Sequence, residues 1–220
     1  MPLGMKRGIL MQVKLMQLGM IGTNCYIFWD EESRKCAIVD PGDSGERVAD
    51  FINGQGLEPV AILLTHSHFD HILGIPGIRA AWPALPVYCH PADVDETRKT
   101  VTLFGSTFPA VSAFGNITPY VDGDQVDVGG ITVEVISTPG HTPGGVTLKA
   151  EDILFTGDTL FRSSIGRTDL EGGSFGTLMQ SLKKLGGLEQ NYRVCPGHEG
   201  LSTLDDEKKY NGYLAQAMQM

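Results

Sequence analysis

Positive charge is in short supply in this chain. Seventeen Lys and Arg stand against 26 Asp and Glu, a formal net charge of −9 over 220 residues. A nucleic-acid partner rewards a basic surface, so that class is set aside. An anionic substrate is not, because bound divalent cations reverse the field locally. Cysteine is scarce too. Cys25, Cys36, Cys89 and Cys195 form no CxxC pair, and three of them sit in apolar, strand-like runs. Buried reduced thiols are the reading, rather than disulfides or thiolate zinc ligands, and only Cys195, three residues before His198, stands near candidate chemistry. No run approaches the roughly 18 apolar residues needed to cross a bilayer, so no membrane partner is expected. The opening MPLGMKRGILMQVKLMQLG is interrupted by Gln12, Lys14 and Gln17 and lacks a small-residue cleavage site. It is not expected to be a signal peptide, and a cytoplasmic protein follows. Met5 and Met11 are alternative starts, which would leave residues 1–10 as a disordered leader. Neither GxGxxG after the first strand nor GxxxxGK[ST] occurs, so dinucleotide and P-loop chemistry have no support.

What is present is ordinary in bulk and unusual in detail. Apolar residues make up 41% and charged residues 20%, the balance of a soluble globular chain. One domain over 1–220 is expected. Strands are expected at 9–18, 24–29, 36–39, 60–64, 86–89, 131–136, 145–148, 153–155 and 192–195. Helices are expected from Ser44 as N-cap to Ile52, with Gly54 as the stop, and over 69–82, 92–99, 176–185 and 205–218. Residues 101–119 show no periodicity and read as a long loop. Hairpins early, then helices alternating with strands in both halves, point to two sheets face to face with helices outside.

The detail is the histidines. In Thr65-His66-Ser67-His68-Phe69-Asp70-His71, three imidazoles and a carboxylate follow directly on the apolar run 60–64. An i, i+2 spacing does not put His66 and His68 on one helix face, so the stretch reads as a turn at a strand end. His141 and His198 each follow a strand and a Pro-Gly, and Asp158 follows strand 153–155. Asp40 ends a strand before Pro41-Gly42, either as a turn former or as the hydrogen-bond partner of a metal-bound imidazole. Four strand ends presenting nitrogen and carboxylate donors signal a metal site. The donors are too many for one tetrahedral zinc. Two divalent ions sharing a bridging carboxylate and a water would use all seven groups. Zinc leads on ligand type, with iron or manganese as alternatives. Two such cations make a hydroxide available near neutral pH and hold a developing oxyanion.

THSHFDH, TPGHTPG, FTGDTLF and PGHE together resemble the metallo-β-lactamase-fold hydrolases, over about Asn24 to Leu214. Within them the chain is most similar to the short bacterial members of the glyoxalase II (hydroxyacylglutathione hydrolase) group. Gly157-Asp158-Thr159-Leu160-Phe161 and Ile165-Gly166-Arg167-Thr168-Asp169 narrow it towards glyoxalase II-like and persulfide dioxygenase-like members. The resemblance implies an α/β fold, an αββα four-layer sandwich. It implies His66, His68 and His141 on one metal, Asp70, His71 and His198 on the other, Asp158 bridging, and Asp40 behind the ligands. Aspartate at 158, where many true β-lactamases have cysteine, makes antibiotic hydrolysis less expected.

Two departures qualify the match. Only about 22 residues follow His198, so the helical region that contacts glutathione in full-length members is essentially missing. Arg167 keeps a basic residue of the family, but Asp169 stands where a tyrosine is usual. Arg167 either grips a substrate carboxylate or pairs with Asp169. The activity implied is hydrolysis of an acyl thioester such as S-lactoylglutathione by a metal-bridging hydroxide, with Asp70 orienting the nucleophile. The alternatives are a mononuclear iron persulfide dioxygenase using His66, His141 and Asp158, and a non-catalytic metal-binding protein. The partner is a small thioester; the chain is a monomer or a homodimer. His90 is read as structural. Phe104, Phe108 and Phe114 either line an acyl pocket or belong to the core, and core is the reading taken.

Overall fold

Strand Thr23–Asp30 does not alternate apolar with polar; it carries two apolar sets. Cys25 and Ile27 face one way, Tyr26 and Phe28 the other, and all are buried. Lys35–Val39 repeats the scheme with Cys36 and Ile38 against Ala37 and Val39. A strand apolar on both faces must be covered on both, which places it inside a layered fold. The computed structural model, describing residues 10–220, shows that arrangement. The expected leader, apart from Leu10, lies outside the described residues.

Two six-stranded mixed sheets pack face to face. The first runs, in spatial order, Met11–Leu18, Thr23–Asp30, Lys35–Val39, Glu58–Leu63, Val87–Cys89, Ile117–Pro119. The second runs Ser202–Thr203, Arg193–Pro196, Ile153–Gly157, Val146–Ala150, Ile131–Ser137, Gln125–Val128. Between them lies an apolar layer drawn from both, including Tyr26, Phe28, Leu63, Val133, Leu148 and Phe155. Tyr26 and Phe28 both meet the Phe155 ring, with centroids 5.2 and 5.3 Å away. Outside the first sheet, helices Gly45–Gln55 and Ile75–Ala81 bury Val48, Ile52, Ile75 and Ile78. Outside the second, Phe175–Gly186, Leu204–Tyr210 and Gly212–Met218 bury Met179, Leu182, Leu204 and Leu214. The layers are αββα, and the fold is the metallo-β-lactamase fold that the motifs implied.

Several local expectations need correction. The first helix runs through Gly54 to Gln55 and is closed by left-handed Gly56. Ser44 precedes it but does not cap it; at φ +47 its hydroxyl donates to Asp43 instead. The helix expected over 69–82 is two, Phe69–Ile72 and Ile75–Ala81. The chain breaks at Gly74, whose N–H bonds Pro41 O at 2.8 Å and whose absent Cβ would meet two backbone oxygens at that same distance. Residues 92–99 form only a 3₁₀ turn, Pro91–Asp93. Beyond it the Asp95 carboxylate accepts from the Thr97 N–H and hydroxyl, competing with helix. The loop expected at 101–119 is largely ordered as a hairpin of Thr100–Leu103 with Ser106–Pro109, a 3₁₀ turn Val111–Phe114 and strand Ile117–Pro119. The terminal helix is interrupted at Asn211, whose side chain caps the second half.

Two side chains of the first sheet reach across to the second. Asn24 Nδ2 donates to Pro196 O and Glu199 O at 3.0 and 2.9 Å, and Tyr26 Oη donates to Pro196 O at 2.7 Å. Asn24 is fully buried. Asn24→Ala removes both amide donations to the Pro196–Glu199 turn and leaves a void at a fully buried position, and is expected to destabilise the chain by about 2 kcal/mol in urea unfolding. A change within error would mean the interlayer tie contributes nothing.

Candidate metal centre

Parallel pairing aims the site. Lys35–Val39 and Glu58–Leu63 run parallel, as do Ile153–Gly157 and Arg193–Pro196. Their C-terminal ends therefore lie at common edges, where they deliver Asp40, Thr65-His66, Asp158 and His198. Ile131–Ser137 is antiparallel to Val146–Ala150, itself antiparallel to Ile153–Gly157. It thus runs the same way as Ile153–Gly157 and brings His141 to the same place.

The seven expected donors converge, in two groups. His66, His68 and His141 offer ligand atoms within 4.8 Å of one another. Their rings stand mutually near-perpendicular, with centroids 4.6 to 4.8 Å apart. His68 Nδ1 and His141 Nε2 point at each other across 2.8 Å. Asp70, His71 and His198 make the second group. Asp158 sits between: Oδ2 is 3.4 Å from His141 Nε2 and 3.6 Å from His198 Nε2, and Oδ1 is 3.5 Å from His71 Nε2. Side chains beyond glycine at the neighbouring turns are excluded. A Cβ on Gly157, at φ +48, would meet Thr65 Oγ1 at 2.2 Å, and one on Gly197 would meet Asp158 Oδ1 at 2.3 Å.

A third cluster, Asp40 with His66 and His71, has the same compactness but different wiring. Asp40 accepts from Thr65 N–H at 2.8 Å, Thr65 Oγ1 at 2.6 Å and His71 Nδ1 at 3.0 Å. With its hydroxyl proton given to Asp40, Thr65 Oγ1 can accept from His66 Nδ1 at 3.2 Å. Asp40 thus fixes both rings so that Nε2 of each faces inward. His141 Nδ1 is likewise held, donating to Arg167 O at 2.7 Å.

Three buried polar atoms at this place have no hydrogen-bond partner: His66 Nε2, His71 Nε2 and Asp158 Oδ1. Buried groups are rarely left so. Nitrogen and carboxylate lone pairs aimed at common points fit divalent cations, which would satisfy all three. The proton distribution among the protein groups differs between the two sets. Burial, then neighbouring imidazoles, holds His66 far below the usual histidine range and His68 at about 3. Burial would also lower His71, but Asp158, Asp40 and Asp70 outweigh it and raise the ring to about 10. His198 is raised as well: burial opposes, while its hydrogen bond to Asp70 and the charge of Asp158 prevail. Burial would raise Asp70, yet His71 and His198 carry it well below the usual carboxylate range. His66 and His68 thus present bare nitrogens, whereas His71 holds a proton that a cation must displace.

Sequence reasoning missed the supports around these donors. Asp93 clamps two ligand loops together. Its carboxylate accepts from Ser67 N–H at 3.1 Å, beside His66 and His68, and from Thr142 Oγ1 at 2.8 Å and Gly144 N–H at 2.6 Å, beside His141. Thr23 Oγ1 donates to Asp70 Oδ2 at 3.2 Å. No sequence signal marked Asp93, which lay inside a stretch expected to be helix. Of the two readings of Arg167, the ion pair is present, with Nε and Nη2 on Asp169 at 2.7 and 2.8 Å. His90 caps the Pro91–Asp93 turn and stays out of the site. All four cysteines are free and buried, and burial pushes Cys195 up to about 12, so its thiol stays protonated. The three phenylalanines divide. Phe114 packs on the core, Phe108 stacks on Phe69, and Phe104 is 73% exposed, which corrects the core assignment for that residue.

Comparison with known proteins agrees with this geometry. The family model described as the metallo-beta-lactamase superfamily matches residues 18–198. Hydroxyacylglutathione hydrolase GloC of Haemophilus influenzae is 31% identical over 216 residues, covering 93% of this chain and 98% of that one. Among solved structures, the BLEG-1 B3 metallo-beta-lactamase superposes with a TM-score of 0.79 at 33% identity, over 92% of this chain and 99% of that one. TTHA1623, solved in a di-iron-bound form, does so with a TM-score of 0.75 at 33% identity, over 91% and 99%.

Two outcomes are expected. Calorimetric titration of a divalent cation into chelator-stripped protein at pH 8, repeated in buffers of different ionisation enthalpy, should show proton release, because His71 holds its proton until pH passes about 10. Heats independent of the buffer would contradict this. Asp93→Asn turns an acceptor towards N–H donors and should weaken cation binding by about 10- to 100-fold against a competing chelator, with the far-UV spectrum preserved.

Proposed function

The chain belongs to the metallo-beta-lactamase superfamily, and we propose that within it this protein is a two-metal hydrolase cleaving an acyl thioester of the S-lactoylglutathione type. The observation that carries the reading is the pair of donor sets with Asp158 between them, together with the three buried polar atoms that lack a hydrogen-bond partner. His66, His68 and His141 would hold one cation, Asp70, His71 and His198 the other, and Asp158 would serve both. Zinc leads on the donor set, and the di-iron form of TTHA1623 makes iron the alternative. Bound there, two divalent cations supply a water acidic enough to lose a proton near neutral pH and positive charge for a carbonyl oxygen.

The chain's own groups do the rest. Asp70, gripped by Thr23, stands beside His198 as the acceptor that orients the attacking water. The water oxygen bonds to the acyl carbon, the C–S bond breaks, and the thiolate leaves with the electron pair. A thiolate is a weak base, so no strong general acid is needed. Asp40 and Thr65 keep the imidazole rings from turning during the reaction. Arg167 belongs at the rim, where its side chain would meet a polar end of the substrate only by releasing Asp169. Four free buried thiols support a reducing, cytoplasmic setting.

The persulfide dioxygenase reading is weaker on one point. A single iron on His66, His141 and Asp158 leaves the compact Asp70, His71 and His198 donor set without a cation. Elemental analysis paired with an S-lactoylglutathione assay tests the choice. Two metals per chain and thioester cleavage are expected. One iron with oxygen uptake on a persulfide would overturn the proposal. Asp158→Ala should lose at least about 10³-fold in kcat/KM, on the scale of removing a group that stabilises developing charge; a fully active variant would sink the mechanism.

A further inference from the structure

A cavity of about 580 Å³ opens beside His68 and is walled by the Thr100–Pro109 hairpin. Its size lies in the range of small-molecule sites, roughly 300–1,000 Å³. Ser67, His68 and Thr142 are among its lining residues, so it adjoins the first donor set at His68. The hairpin is fixed over it at two points. Phe108 stacks on Phe69, the residue after His68, with centroids 3.9 Å apart, and Phe104 at the tip lies under the Arg167 guanidinium at 5.6 Å.

The lining says what fits. Val94, Val101, Leu103, Val111 and Leu170 supply an apolar wall. Several of the polar groups there are already engaged. Ser67 Oγ donates to Asp93 O and Thr142 Oγ1 to the Asp93 carboxylate, whose oxygens also hold two backbone N–H groups. Arg98 pairs with Glu171 at 3.2 Å. Three acidic residues, Asp93, Asp95 and Glu171, line the cavity against one arginine, Arg98. A polyanionic thiol carrier is repelled by such a lining, and a ligand needing hydrogen bonds finds few open.

We infer that this cavity seats an uncharged aliphatic acyl chain, so that the substrates are thioesters of apolar acids longer than lactate, with the thiol carrier directed away from the hairpin. The inference rests on the thioesterase reading, and its test separates the two. The probes are acetyl to hexanoyl thioesters of N-acetylcysteamine, a neutral thiol, assayed with the metal-loaded enzyme. In the native enzyme kcat/KM should rise about threefold for each methylene until the cavity is full. In Leu103→Asp, and in the milder Leu103→Ala should the first fail to fold, the hexanoyl-to-acetyl ratio should fall towards one. The uncleavable thioether S-hexyl-N-acetylcysteamine gives a calorimetric Kd, expected to weaken at least tenfold in Leu103→Asp. Cleavage with no dependence on chain length overturns the acyl cavity and leaves the thioesterase reading standing. Thioether binding that depends on Leu103, with no thioester cleaved, supports the cavity and overturns that reading.

Discussion

One buried carboxylate organises the centre of this protein. Asp40 is 1% exposed, sits at φ +49 where aspartate is tolerated better than most residues, and accepts from a backbone N–H, a hydroxyl and an imidazole. Those three bonds do two jobs. They join the ends of two parallel strands, and they decide which nitrogen of His66 and His71 faces the centre. Fold and chemistry are therefore coupled at one side chain: the register that pairs Val39 with Leu63 also sets the tautomers.

The rest of the centre follows from the sandwich. Each sheet contributes about half of the donors, the first through Thr65 to His71, the second through His141, Asp158 and His198. Neither half makes a complete site. The interlayer ties from Asn24 and Tyr26 to the Pro196–Glu199 turn, and the Asp93 clamp between the Ser67 and Thr142 loops, hold the halves in register without cations. Such preorganisation lets imidazoles be crowded against one another, and carboxylates likewise, before a cation binds them.

What could be read in the sequence was what short-range rules govern. His66 to His71 announced itself because donors were adjacent, and His141, Asp158 and His198 because each follows a strand with glycine at the turn. Early hairpins followed by alternating helices and strands showed the layered fold. What could not be read depended on distant partners. Gly74 breaks a helix because Pro41 and Asp43 lie against it, which no local pattern records. Ser44 looked like a cap but bonds its neighbour. Asp93 is a support only because two remote loops meet there. The hairpin at 100–109 went unread because its strands are only four residues each and lie mostly at the surface, although Thr100–Leu103 does alternate.

That hairpin pairs with itself alone and belongs to neither large sheet. Its strands share no hydrogen-bond ladder with those that deliver the donors, and a change in its length costs little closure entropy. The glycines at 157 and 197, by contrast, are locked by atoms within 2.3 Å of any added carbon. Selectivity and reactivity are thus carried by parts under unequal constraint. A lineage built on this scaffold can diversify its diet by trading one hairpin while the donor set stays frozen.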